Sequence, residues 1–292
     1  MTAGASPQRQ STPRRLTTYA LIVVGLGLTA YAIGERLPGH SHTTDAGSAD
    51  SHDHGSDMSH DHSGGGHDIS LIASATTSGG YELVERSRNG RTAVFALAGG
   101  DDGAVTDFEW VHGAYLHVVM VTPDLSRFEH VHPEIADDGT WSISAPDDDG
   151  EWHVVVESTP GGASSPVIVT SHFDGTASAA ELPAQTSTAS VTTASGTELV
   201  VDLRTGNDGL QFTVTAADGT PPEGLEAYLE QPAHLVVFRV DDLAYVHLHP
   251  TSDIGDPVIE YDGVLPAGAT YRLFLQFAID GEVLTVPYTV AT

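Results

Sequence analysis

The sequence predicts an all-β chain of two tandem sandwich modules, set behind an apolar N-terminal segment and a histidine-rich linker. Three observations carry that prediction. The 292 residues include 31 Gly and 16 Pro and fall into many short apolar runs, which favours strands joined by turns over helical bundles. A shift of 117 residues lays one half of the chain on the other, pairing Phe95 with Phe212, Asp101 with Asp218, and His117, His130, His132 and Pro133 with His234, His247, His249 and Pro250. Each half then offers about seven short β-rich runs in about 100 residues, the pattern of an immunoglobulin-like sandwich.

Residues 1–36 read as a cytoplasmic tail followed by a membrane anchor or signal peptide. Arg9, Arg14 and Arg15 precede the apolar run Tyr19 to Gly34, after which acidic residues dominate, so the remainder is expected outside the membrane. Cleavage at Ala30-Tyr31-Ala32 would give a secreted protein, whereas an uncleaved run would leave a single-pass protein with extracytoplasmic modules. Residues 37–69 hold Gly, Ser, Asp and His with almost nothing to bury, and are expected to be a disordered linker. Within it, Ser51-His52-Asp53-His54 and Ser59-His60-Asp61-His62 repeat a His-x-His unit, which makes His52, His54, His60 and His62 secondary candidates for capturing a metal.

The first module is expected over residues 70–176, with strands near Thr92 to Ala98, Tyr115 to Val121, Trp141 to Ser144, Trp152 to Glu157 and Pro166 to Phe173. An Ala/Thr/Ser/Pro linker covers 177–188. The second module covers 189–292, with strands near Leu199 to Leu203, Leu210 to Ala216, His234 to Val240, Tyr271 to Phe277 and Val283 to Val290.

Asp and Glu number 40 against 11 Lys and Arg, and no lysine occurs, so no basic surface exists to neutralise phosphates and nucleic acid is excluded as a partner. Biased codon usage or a salt-loving host would also produce such a composition, though the field it creates attracts cations. The absence of cysteine leaves His, Met and carboxylates as the available metal ligands.

The histidines carry the chemistry. His117 and His130, like His234 and His247, are separated by twelve residues, and each second histidine opens a His-x-His. Asp241-Asp242 and Pro123-Asp124 lie between them as turn signals, so each segment reads as a hairpin. Side chains alternate faces along a strand, and an even-length loop therefore puts all three imidazoles of a hairpin on one side. With that register His234 faces His249, His247 faces Val236, and a slip of one residue would send His234 to the opposite face. Leu235, Val237, Val246, Leu248, Val118, Met120 and Val131 fall on the other, core-facing side. Phe128, Phe238 and Tyr245 share the histidine side and should shield it.

Three neutral imidazoles suit Cu, Zn or Ni with a further position open. His117, His130 and His132, and likewise His234, His247 and His249, are thus expected to form one metal site per module. Other titratable residues read as ordinary. Glu134 has Thr251 at its shifted position, and His112, His153 and His172 lack histidine counterparts: Leu229 matches the first, and Arg272 the second once a two-residue gap is allowed. Glu109 and Glu226 do match and could orient an imidazole, but a solvent-facing role is the simpler expectation.

Tyr228-Leu229, His234, His247-Leu248-His249-Pro250 and Gly268-Ala269-Thr270-Tyr271-Arg272-Leu273-Phe274 resemble the pattern of secreted bacterial domains described as heavy-metal-binding or YtkA-like. The first module is similar at Tyr115-Leu116-His117 and His130-Val131-His132-Pro133, but Trp152-His153 replaces Tyr-Arg. The resemblance implies an immunoglobulin-like fold and an association with copper or other metal handling. Taken together, the expectation is an extracytoplasmic protein that binds, buffers or delivers a transition metal, copper ahead of zinc or nickel. It would be non-enzymatic, anchored by its N-terminal helix, and able to pass its ion to a membrane metal transporter or another metalloprotein. The competing readings are an interaction or structural module on a membrane stalk with incidental histidines, and, behind that, a zinc hydrolase-like enzyme.

Overall fold

The computed structural model describes residues 67–99, 103–147, 149–176 and 181–292, and every regular element among them is a strand. The expected N-terminal helix, most of the His-rich linker and His52, His54, His60 and His62 lie outside the described residues. The first module comprises β1 (Thr77–Ser78), β2 (Tyr81–Asn89), β3 (Thr92–Gly99), β4 (Leu116–Val121), β5 (Phe128–Val131), β6 (Thr140–Ser144), β7 (Trp152–Ser158) and β8 (Val167–Phe173). The second comprises β9 (Thr188–Thr192), β10 (Glu198–Thr205), β11 (Gly209–Ala216), β12 (Leu225–Glu226), β13 (His234–Arg239), β14 (Tyr245–Leu248), β15 (Val258–Asp262), β16 (Thr270–Ile279) and β17 (Glu282–Ala291).

Both modules repeat one plan. A sheet of order β1-β2-β3-β6 packs on one of order β5-β4-β7-β8, and a sheet of order β9-β10-β11-β15 packs on one of order β14-β13-β16-β17, to which the short β12 adds beside β16. Leaving aside β1 and β9, this is the strand arrangement of an immunoglobulin-like sandwich, so the two-module all-β expectation holds. The strands expected from the sequence are present. The strands not expected, β1, β2, β9, β12 and β15, are two to nine residues long, and β1, β2 and β9 lie in polar stretches.

Each sandwich closes on its own core. Phe95, Trp141 and Trp152 are buried in the first, and Phe212, Tyr261 and Phe277 in the second. Alternation works as expected on β11, whose burial switches at every residue from Gly209 through Val214. It fails on β4, where all six residues are buried, and on β16, where nine of ten are. A strand buried on both faces has something packed on its outer side as well.

What covers these outer faces is the other module. Val119, Val121, Leu125, Val155 and Ile168 of the first module form a third core with Val236, Phe238, Tyr245 and Phe274 of the second. Phe128 stacks on Phe274 with ring centroids 4.3 Å apart, a pairing worth about 0.5–1.5 kcal/mol beyond the area it buries. The buried Arg272 donates from Nε to the Leu125 carbonyl at 3.2 Å and from Nη1 to Thr289 Oγ1 at 2.9 Å, so its guanidinium joins the β4–β5 loop to the second module.

Two connecting segments reinforce the docking. Residues before β1 were expected to belong to the first module or its linker. Instead Ile69 is buried in the second module's core, and Ile72 exchanges backbone hydrogen bonds with Tyr245 at 2.7 and 2.8 Å, covering the β14 edge. The chain then returns to the first module, where Ala75 accepts from Thr170 N at 2.7 Å. Leu182, from the expected linker between modules, packs against the shared core.

Candidate metal centre

The register on which the histidine triads depend is the one expected. Val121 pairs with Phe128 and Phe238 with Tyr245, leaving six-residue loops over 122–127 and 239–244. Both loops are pinned by a carboxylate. Asp124 accepts from Ser126 N at 3.0 Å, and Asp242 accepts from Ala244 N at 3.1 Å while pairing with Arg239. Leu125 and Leu243 take left-handed backbone angles, φ 55° and 57°, to close them. Val119 then pairs with His130 and Val236 with His247, so all three histidines of each hairpin share a face.

That face is the one by which the modules dock, so the two triads, expected as one separate site per module, lie side by side. The six histidines meet in a single cluster. His117 has its ring centroid 5.8 Å from His234 and 5.1 Å from His247, and His130 lies 6.0 and 5.6 Å from the same two. Within the modules His117 lies 4.9 Å from His132, and His234 lies 5.4 Å from His249. Two groups of three bring one ligand atom each within 4.8 Å of one another: His117 with His234 and His247, and His117 with His130 and His132. The first group draws on both modules.

The two triads differ in how their nitrogens are satisfied. In the first module His117 Nε2 lies 3.2 Å from the Val111 carbonyl, His130 Nδ1 lies 2.7 Å from Gln276 Oε1, and His132 Nε2 lies 3.2 Å from His117 Nδ1. In the second, His247 Nε2 lies 2.8 Å from His234 Nδ1, but His234 Nε2, His247 Nδ1 and His249 Nε2 are buried with no hydrogen-bond partner.

Burial holds the cluster neutral. Desolvation pushes His130, His234 and His247 far below the usual histidine range, lowers His117, and brings His132 and His249 down to about 4. A neutral imidazole keeps a lone pair and is the ligating form.

One carboxylate stands among them, and the sequence did not single it out. Glu157, on β7 directly opposite His117, has a side chain 15% exposed and places Oε2 3.4 Å from His247 Nδ1, close but not aligned for a hydrogen bond. Tyr245 donates its hydroxyl to the same oxygen at 3.0 Å. Burial pushes the Glu157 carboxyl up, against the pull of His117 and the Tyr245 hydroxyl. Its counterpart is Gln276, which faces His234 across the second module's sheet. The two-residue gap that aligns His153 with Arg272 also aligns Glu157 with Gln276, so the signal was present in the repeat.

His112 is half-buried beside the cluster. Expected as an ordinary, partly exposed histidine, it stacks on His249 at 3.5 Å between centroids, from a turn with φ 50°. A cavity of about 200 Å³ is lined there by His112, His117, Glu157, His247 and His249. Glu134 lines a separate open groove of about 820 Å³ beside His132. His153 lies 3.3 Å from Ser74 Oγ and His172 is exposed, both apart from the cluster. Glu109 and Glu226 are exposed as expected, and Glu226 caps the Gly281 amide.

No curated protein matches the chain. Among solved structures, a two-domain fibronectin type III segment from chicken tenascin matches at 10% identity and TM-score 0.22, over 72% of this chain and 98% of that one. The FN1–FN3 domains of chicken CNTN1 match at 8% and 0.20, over 78% and 69%. Likeness of this degree carries no argument here. A family model described as a domain of unknown function, DUF8832, matches residues 75–171 and 189–292, which correspond to the two sandwiches and span more than half of the sequence. The chain therefore belongs to the DUF8832 family, whose model matches both sandwiches.

Proposed function

We propose that this protein binds a transition-metal ion at one composite centre between its modules, and that it buffers or delivers that ion outside the membrane. The observation that carries the reading is the gathering of six neutral imidazoles from two hairpins, three ligand atoms of which, from His117, His234 and His247, lie within 4.8 Å of one another across the modules. Imidazole nitrogens suit copper, zinc and nickel, with copper the foremost candidate. The unpartnered nitrogens of His234, His247 and His249 add support, because a buried polar atom without a partner costs about 1–3 kcal/mol unless something binds it. An interaction module with incidental histidines would scatter them over different faces or bond each to a backbone carbonyl. Among the described residues, only His117 of the six reaches a carbonyl, that of Val111. The histidine-rich linker would collect ions at high effective concentration near the centre, and a membrane transporter or another metalloprotein would receive them.

Calorimetric titration of the full chain with Cu(II) and Zn(II), against a chelator strong enough to outcompete isolated His-x-His units, tests this reading. One tight ion per chain is expected. No tight site for either metal would refute it.

A further inference from the structure

We propose that the six-histidine centre has one working seat, off its pseudo-twofold axis: a divalent ion held by His117, His234 and His247 at the Glu157 end. Glu157 fixes His247 and offsets the ion's charge, and the Gln276 end serves as a hydrogen-bonded support. This rests on the metal-binding reading above and says where in the cluster the ion sits.

The duplication makes the comparison possible. Glu157 pairs with His117 on the first module's sheet and reaches His247 of the second, while Gln276 pairs with His234 and reaches His130 of the first. Exchanging the modules would turn the group His117, His234, His247 into His234, His117, His130. Among the described residues only the former brings its ligand atoms within 4.8 Å. Across the modules the cluster is therefore lopsided toward the carboxylate, while at the Gln276 end the atoms that come as close, those of His117, His130 and His132, all belong to the first module.

The chemistry of the two supporting residues points the same way. An amide oxygen can orient a histidine but carries no charge. A carboxylate orients it, raises its basicity and balances part of a cation's charge in an enclosed site, where an unbalanced charge is costly. At the Gln276 end His130 Nδ1 is already engaged, at 2.7 Å. At the Glu157 end His247 Nδ1 is buried and unpartnered, 3.4 Å from Glu157, while Nε2 faces His234 Nδ1 at 2.8 Å. Bonds of about 2.0–2.1 Å to a tetrahedral ion put its nitrogens about 3.3 Å apart. The two rings need part by only about 0.5 Å to admit an ion with bonds of that length, and the same movement can bring His247 into line with Glu157.

The Glu157 end also has room. The cavity of about 200 Å³ lies against Glu157, His117 and His247, with His112 and His249 beside them. It can hold an exchangeable fourth ligand, such as water or a donor from a receiving protein.

The test compares reciprocal variants of the full chain, with Zn(II) affinity read by chelator competition and the visible spectrum of the Co(II) form as a second readout. Glu157→Gln is expected to weaken the tight site by about 10–100-fold and to shift the Co(II) bands, since loss of a carboxylate behind a ligating histidine has that effect. His247→Ala should abolish the site. His130→Ala should weaken the site far less than His247→Ala does. Melting of each metal-free variant checks that it folds. An unchanged affinity in Glu157→Gln, or a loss in His130→Ala as deep as in His247→Ala, would overturn the off-axis seat while leaving the metal reading intact. Absence of a tight site in the wild-type chain would instead remove the reading on which it rests.

Discussion

The two histidine triads occupy equivalent positions on equivalent hairpins, yet one is satisfied and the other is not. His117, His130 and His132 find the Val111 carbonyl, Gln276 and one another. His234, His247 and His249 each leave one buried nitrogen without a partner. The difference teaches that duplication copied the scaffold and not the environment. Val111, Gln276 and Glu157 come from strands and turns outside the repeated hairpins, and each supports the triads differently at the two ends.

Gln276→Ala would break the comparison by making the first triad resemble the second. It leaves His130 Nδ1 without its partner at 2.7 Å, and a destabilisation of about 1–3 kcal/mol is expected in chemical denaturation of the metal-free chain. A cost near zero would mean that the first triad is no better satisfied than the second.

Acidity acts on both triads at once, with a smaller effect from each group. His132 and His249 are held at about 4 against an ordinary 6.5, so the unfolded chain takes up protons in a range where the folded chain does not. Their contribution to stability is complete above 6.5 and is lost as the pH falls toward 4. Glu157 works in the opposite sense. Its raised pKa contributes below its ordinary 4.5, and that contribution disappears as the pH rises through the shifted value. With the six depressed histidines of the triads, and His112 and His153 shifted the same way, against one raised carboxylate, the melting temperature of the metal-free protein is expected to drop between pH 6.5 and 4. A melting temperature that rises over that interval would contradict the neutral, desolvated cluster.

Much of this was legible in the sequence. The repeat, the sandwich strands and the hairpin register follow from period-two patterning and turn chemistry, and Val236 does face His247. The docking of the modules was harder to read, because alternation describes a sheet with one wet face. The runs Leu116-His117-Val118-Val119-Met120-Val121 and Leu273-Phe274-Leu275-Gln276-Phe277 break that alternation, and in retrospect they announce a second covered face. Once that face is covered, two three-histidine groups become one six-histidine cluster. Glu157 was missed for a related reason: its partners, Tyr245 and His247, lie 88 and 90 positions along the chain in the other module, and only the gapped repeat alignment links it to Gln276. The anchor and the linker histidines lie outside the described residues and remain expectations.

The most direct test of the central claim is whether each module alone can damage the same site. Zn(II) affinity should be measured by chelator competition on the full chain carrying His117→Ala, and separately on the full chain carrying His234→Ala. A composite centre predicts that either substitution, in either module, removes the single tight site. If each variant instead keeps one site of wild-type affinity, the triads bind independently and the composite centre is wrong.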